Sequence, residues 1–299
     1  MASLSKGAPA LLPVLALLFN AFVWGVSWWP FRELQSHGLH PLWSTALIYV
    51  MALAFLFAMR PGVLRAFGGQ PLLWVLLVAA GLTNVGFNWA VTVGDVVRVV
   101  LLFYLMPAWT VLLAWPLLGE KPTAGALARL ALALAGVFTV LQAADSGWTW
   151  PVPREAADWL ALAGGFSFAL TNILLRKLQH ALPEARIAAM FGGGALLAVV
   201  AGLLGMAGGI VAAPPAPSLA WTGMALVLGA GFLIGNIGLQ YGAARLSAHT
   251  TALVMLSEVI FASASSVAMG GAEPTMRTWL GGALILSAAA WSAWPKGAK

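Results

Sequence analysis

Residues 72–93 read LLWVLLVAAGLTNVGFNWAVTV, an apolar run without one charged side chain. A helix needs about 20 such residues to cross the hydrocarbon core of a bilayer, so this stretch is expected to span one. Comparable runs recur at 11–29, 41–59, 97–117, 125–142, 157–175, 187–209, 219–242, 247–270 and 279–294, which makes ten expected helices. Loop chemistry separates them: Arg60-Pro61-Gly62, Gly119-Glu120-Lys121-Pro122, Trp150-Pro151-Val152-Pro153 and Pro214-Pro215-Ala216-Pro217. The shortest break is Gly94-Asp95, where a tight turn must join two helices. A transmembrane barrel would alternate over segments of about 10 residues, and these runs are continuous.

The whole composition agrees with an all-α integral membrane protein. Of 299 residues, 61% are hydrophobic and 8% charged, with a mean hydropathy of +0.92. Soluble domains carry roughly 25% charged residues. The net charge of +6 comes from 15 Lys and Arg scattered singly, not from a basic stripe that could track phosphates, so nucleic acid is not an expected partner. Cysteine is absent, which removes disulfides and thiolate ligands, and the four histidines form no H-E-x-x-H pattern. The first run ends in bulky Trp28-Trp29-Pro30 where a signal peptide would have small residues, so it reads as a retained helix.

Lys and Arg sort by side. With a cytoplasmic N-terminus, the inner loops receive Lys6, Arg60, Arg65, Lys121, Arg129, Arg176, Lys177, Arg186, Arg245, Lys296 and Lys299, against Arg32, Arg98, Arg154 and Arg277 outside. That is the positive-inside bias, and it places both termini in the cytoplasm. Trp28, Trp43, Trp74, Trp115, Trp159, Trp221, Trp279 and Trp294 fall near helix ends, where interfacial anchors belong.

The chain also resembles itself. At a shift of 152, Asn84 meets Asn236, Gly86 meets Gly238, Asn88 meets Gln240, Trp89 meets Tyr241 and Pro122-Thr123 meets Pro274-Thr275. At a shift of 144, Phe22 meets Phe166, Trp24 meets Phe168 and Arg32 meets Arg176. Uncommon residues pair in order at a constant offset, which implies two five-helix repeats, 1–145 and 155–299, joined by a linker at 146–154. Five is odd, so the second repeat must enter the membrane inverted. Many secondary transporters share that arrangement and bind substrate near the midplane between the halves. On the eighth helix Gly231, Gly235, Gly238 and Gly242 form one stripe of small residues, matched by Ala79, Thr83, Gly86 and Ala90 on the third. Such stripes let backbones approach closely. Asn84, Asn88, Asn236 and Gln240 project from the other side, either into a cavity or as hydrogen-bonding glue between helices.

Three segments resemble a known family. They are Phe19-Asn20-Ala21-Phe22-Val23-Trp24-Gly25, the run from Leu105-Met106-Pro107 to Leu117-Leu118-Gly119-Glu120-Lys121, and Leu256-Ser257-Glu258-Val259-Ile260-Phe261. Together with the five-plus-five repeat they resemble the EamA-type drug/metabolite transporter superfamily, and within it the bacterial aromatic amino-acid exporters. The resemblance implies a location in the bacterial inner membrane, export as the direction and amino acids as the substrate class. Two positions depart from the pattern: Val259 replaces the usual proline after the glutamate, and the second Gly-Glu has become Gly271-Ala272-Glu273.

The candidate substrate-binding residues are therefore Asn20, Trp24, Asn84, Asn88, Trp89, Tyr104, Trp109, Phe168, Asn236, Gln240, Tyr241 and Glu258. Glu258 is the one acid clearly at membrane depth, where a charge costs several kcal/mol unless it is paired or wet. It is either functional or an internally bonded structural carboxyl. Aromatic rings suit amphipathic substrates through stacking and cation–π contact, and they serve equally as packing. Asn20, Trp24 and Ser27 share one helical face. No G-x-x-x-x-G-K-[ST] exists to cradle a nucleotide, and no metal-ligand set or cofactor motif appears. A monomer that exchanges a small-molecule substrate across lipid by alternating access is the expectation. An intramembrane enzyme acting on a lipid or isoprenoid is the alternative.

Overall fold

The computed structural model describes residues 11–119, 121–141, 152–243, 245–246, 254–255, 257–270 and 273–293, and it is helical with no strand among them. Most of the expected linker lies outside the described residues, as do Glu120, His249, Gly271, Ala272 and Trp294. The helices are α1 (Leu11–Val26), α2 (Trp28–Ser36), α3 (Pro41–Met59), α4 (Arg65–Gly68), α5 (Leu72–Val93), α6 (Val96–Phe103) and α7 (Met106–Leu118). After these come α8 (Ala124–Leu141), α9 (Ala156–Lys177), α10 (Pro183–Ala207), α11 (Leu219–Ala243), α12 (Ser257–Ala268) and α13 (Met276–Ala293). Seven segments, Leu11–Ser36 (α1 with α2) and Val96–Leu118 (α6 with α7) among them, are long and apolar enough to cross a membrane. Ala124–Val140 and Ser257–Ala268 are apolar but shorter.

Local chemistry explains the interruptions. The first apolar run, expected to end by residue 29, continues as helix to Ser36 after a one-residue break at Ser27. Pro30 cannot donate to the carbonyl of Val26, and proline is tolerated in the first turn of a new helix, so the axis breaks and restarts. Trp28, expected as an interfacial anchor, is thereby turned inward: it is buried, and its Nε1 donates to Ser265 Oγ at 2.9 Å. The fourth run divides at Tyr104-Leu105, where Pro107 has no N–H to offer the carbonyl of Phe103. Asp95 starts α6 as an N-cap, accepting from the Arg98 N–H at 2.8 Å, so Gly94-Asp95 does make the tight turn. Glu155 and Asp158 form a capping box at the start of α9. Gly119, at φ 72°, ends α7 in the left-handed conformation that glycine adopts without steric cost.

In lipid, burying apolar side chains between helices gains little, so close packing at small residues must hold the bundle. The glycines show where this happens. A Cβ on Gly238 of α11 would stand 2.8 Å from the Ala16 carbonyl oxygen of α1, and Gly235 and Gly242 of the same stripe also face α1. Gly86 of α5 meets Leu160 and Gly164 of α9 in the same manner, and Gly81 meets Gly193 of α10. Gly136 of α8 and Gly281 of α13 face one another, each leaving room for the other's carbonyl.

The principal packings are α5 with α9 and α10, α3 with α10 and α11, α1 with α11 and α12, α9 with α6 and α7, α6 with α12, and α8 with α13. Contacts also give directions. Gly86 lies by Gly164 while Gly94 lies by Ala157, so α5 and α9 are antiparallel. Gly238 by Ala16 and Gly231 by Val23 make α11 and α1 antiparallel too. Phe22 against Phe261 and Trp28 against Ser265 make α1 and α12 parallel, as Arg98 with Asp158 and Phe103 with Gly164 make α6 and α9.

Candidate functional site

Seven helical segments line a cavity of about 120 Å³. Its walls follow helical spacing. Asn20 and Trp24 come from one face of α1, and Ala80, Thr83, Asn84 and Phe87 from one face of α5. Phe168 and Thr171 stand three apart on α9, and Asn236 and Leu239 three apart on α11. Phe103 and Tyr104 enter where α6 ends, Met190 enters from α10, and Met255 and Glu258 close the wall at the start of α12.

The polar groups are held individually. The Tyr104 hydroxyl donates to Glu258 Oε2 at 3.1 Å and also lies 3.3 Å from the Met255 carbonyl. Asn84 accepts from the Tyr49 hydroxyl and donates through Nδ2 to the Ala80 carbonyl at 2.8 Å. The Asn20 amide nitrogen faces Met255 Sδ at 3.7 Å. A thioether only accepts, so the amide orientation follows and Oδ1 is left without a partner. Thr171 Oγ1 is likewise buried and without a partner. Between these groups runs a chain of rings: Trp24 lies 6.0 Å from Phe87, Phe87 lies 4.7 Å from Phe103, and Phe103 stacks on Phe168 at 5.5 Å.

Of the residues singled out from sequence, Asn20, Trp24, Asn84, Tyr104, Phe168, Asn236 and Glu258 line this one cavity. The others stand elsewhere. Asn88 is fully buried and donates to Thr45 Oγ1 at 3.1 Å, between α5 and α3. Trp89 meets the His40 ring edge-on at 5.1 Å, and burial of that N-cap imidazole holds its pKa below the ordinary value. Trp109 packs edge-on against Phe166. The guanidinium of Arg245 lies 3.8 Å over the Tyr241 ring. The Gln240 side chain lies outside the described residues. Val259 is buried in the first turn of α12.

Sequence reasoning passed over Thr83, Phe87, Phe103, Thr171, Leu239 and Met255 as lining residues. A signal existed for four of them. Phe87 and Leu239, and Phe103 and Met255, are mates at the shift of 152, like Asn84 and Asn236. Adding Trp24 and Phe168, 144 positions apart, four pairs of residues at the two shifts face one cavity. Asp95, expected only in a tight turn, and Arg98, expected only as an outer charge, build a polar junction at one end of the bundle. Arg98 holds Asp158 through two bonds of 2.7 and 2.9 Å and donates to the Val140 carbonyl at 2.7 Å. Asp95 accepts from the Glu273 N–H, and Arg32 donates to the Gly94 carbonyl.

The EamA-like transporter family matches this chain over residues 11–142. A solved structure, described only as the crystal structure of a protein, is similar with 19% identity and a TM-score of 0.57, covering 94% of this chain and 96% of that one. At such identity the likeness carries the fold alone. No curated protein matches the chain. With seven apolar helical segments of spanning length, the chain is a multi-pass membrane protein whose first half matches a transporter family.

Proposed function

We propose that this protein is a secondary transporter that exports amino acids, aromatic ones among them, or related small metabolites across the bacterial inner membrane. Ten transmembrane helices form two inverted five-helix repeats with both termini cytoplasmic, and the cavity between the repeats opens alternately to either side. The observation that carries this reading is the four pairs of residues at the two shifts around one cavity. A site placed on such an axis sees nearly the same walls from both sides, which alternating access requires.

Helix pairing supports the same reading. Exchanging each helix of the first repeat for its counterpart in the second turns α5 with α9 into α11 with α1, and α5 with α10 into α11 with α3. It leaves α3 with α10 and α8 with α13 unchanged. Every direction deduced from contacts also agrees with ten successive crossings: pairs an odd number of crossings apart run antiparallel, and those an even number apart run parallel. The intramembrane-enzyme alternative gains nothing from the cavity, where Glu258 is the one carboxyl among the described lining residues and its neighbour is a tyrosine.

Counterflow in proteoliposomes tests the proposal. Vesicles loaded with unlabelled tryptophan or phenylalanine should transiently accumulate the labelled compound above its external level. A channel would equilibrate without overshoot. An enzyme would leave the label chemically changed or outside, and either result rejects the reading.

A further inference from the structure

Building on that transporter reading, the chemistry of the walls narrows the substrate. No Lys, Arg or His stands among the described residues lining the cavity, and one acid, Glu258, does. Independently, two lining side chains that are each 1% exposed, Asn20 and Thr171, keep Oδ1 and Oγ1 without any partner. Three donors of the lining are engaged: Asn84 Nδ2 with the Ala80 carbonyl, Asn20 Nδ2 with Met255 Sδ, and the Tyr104 hydroxyl with Glu258.

We propose that this cavity is an ammonium site: it binds primary amines with an aromatic or apolar body, and a substrate carboxylate contributes nothing to recognition. A primary ammonium brings three N–H donors and no acceptor. Glu258 supplies a charge, and Asn20 Oδ1 and Thr171 Oγ1 supply uncommitted acceptors. Asn20 and Glu258 are joined through Met255, since Asn20 Nδ2 touches its sulfur and Tyr104 touches both its carbonyl and Glu258. One helical turn from Asn20 stands Trp24, and the ring chain from Trp24 through Phe87 and Phe103 to Phe168 offers π-faces to the substrate body. These faces attract a cation and repel an anion. A carboxylate entering the same space would meet Glu258 and ring faces, with no cationic side chain among the described lining residues to pair it. Amino acids therefore enter by the α-ammonium end, and decarboxylated amines are substrates as well.

Three probes sharing an indole separate the charges: tryptamine, tryptophan and indole-3-acetate. Binding to the purified full chain in lipid nanodiscs is followed by calorimetry. Tryptamine should bind at least as tightly as tryptophan, and indole-3-acetate at least tenfold more weakly. Glu258→Gln keeps the acceptor for Tyr104 and should weaken tryptamine tenfold or more. Thr171→Val changes shape little and removes an oxygen that has no protein partner to lose, so it should leave folding intact and weaken tryptamine severalfold. Indole-3-acetate binding as tightly as tryptamine, or tryptamine affinity unchanged in both variants, overturns the assignment. Tryptophan counterflow that excess tryptamine does not inhibit also overturns it, while leaving the transporter reading standing. Absence of any amino-acid counterflow rejects transport, and the binding series still reports the charge preference of the cavity.

Discussion

The stripe on α11 supports a graded prediction, because the space beside each glycine differs. A Cβ at Gly223 would meet nothing within 4 Å, and one at Gly231 would make an ordinary contact with Val23 Cγ1 at 3.6 Å. At Gly238 it would stand 2.8 Å from the Ala16 carbonyl oxygen, a backbone atom that cannot swing aside. Normal C···O contacts are about 3.3–3.6 Å, so α1 and α11 would have to part by about 0.5 Å there. Replacing a helical glycine by alanine gains about 1 kcal/mol of helix propensity, while overpacking costs about 1–3 kcal/mol. Gly223→Ala should therefore be neutral or stabilising, Gly231→Ala close to neutral, and Gly238→Ala destabilising by about 1 kcal/mol net. Gly238→Leu should be worse still, since further carbons drive into the same helix. Unfolding midpoints in mixed micelles, titrated with a denaturing detergent, measure the series. Transport should fall along with stability at Gly238, because α1 carries Asn20 and Trp24 on the same stretch. Gly238→Ala as stable as Gly223→Ala would refute the claim that this stripe sets the α1–α11 spacing.

The absence of cysteine makes single introduced cysteines a clean probe: those replacing Arg65 or Lys177 should label from the cytoplasm and one replacing Arg154 from outside. Labelling of positions 154 and 177 from one side would remove the ten-helix arrangement. Glu258→Gln should abolish the response of transport to an imposed pH gradient while exchange at saturating substrate persists, and a wild-type response would deny Glu258 a part in proton coupling. Asn84→Ala should raise the substrate KM severalfold, whereas Asn88→Ala, which loses only its bond to Thr45, should cost about 1 kcal/mol of stability with KM unchanged. Arg98→Ala strands the buried Asp158 carboxylate and should destabilise by about 3 kcal/mol in the same micelle titration. The paired change Arg98→Met with Asp158→Leu should recover most of that loss, and a double variant no better than the single would deny the pair its structural role.

Helix positions were plain in the sequence wherever lipid alone dictates them. The runs at 41–59 and 72–93 are helices with those bounds, because solvent and length decide a span without help from its neighbours. Pro30 was less plain: proline both breaks one helix and suits the start of another, and only the packing of Phe31 and Leu34, both fully buried, selects continuation to Ser36. Asn84 and Asn88 show the limit for the site. They are the same residue type one turn apart on one helix, and a 40° rotation about the axis separates them. Which one meets the cavity depends on Thr45 of α3 taking the amide of Asn88, a contact across 43 positions. Phe103 and Met255 escaped notice because residues that differ chemically show no identity at the shift of 152. Arg98 and Asp158 each look like a residue near a helix start, and their pairing appears only when α6 lies along α9.

The packing order has a consequence for how the protein is made. Helix α1 leaves the ribosome before the other described helices, yet its two main partners are α11 and α12, and α5 leans on α9 and α10. At a translation rate of about 5–20 residues per second, α1 waits roughly ten to fifty seconds for those surfaces to exist. Throughout that interval Asn20 and the small-residue face around Ala16 sit against lipid or the insertion apparatus, not against protein. The two halves are thus not independent units of biogenesis. A chain cut between them should be degraded when the first half is produced alone and recovered when both halves are co-expressed, since the first half holds few of its own partners.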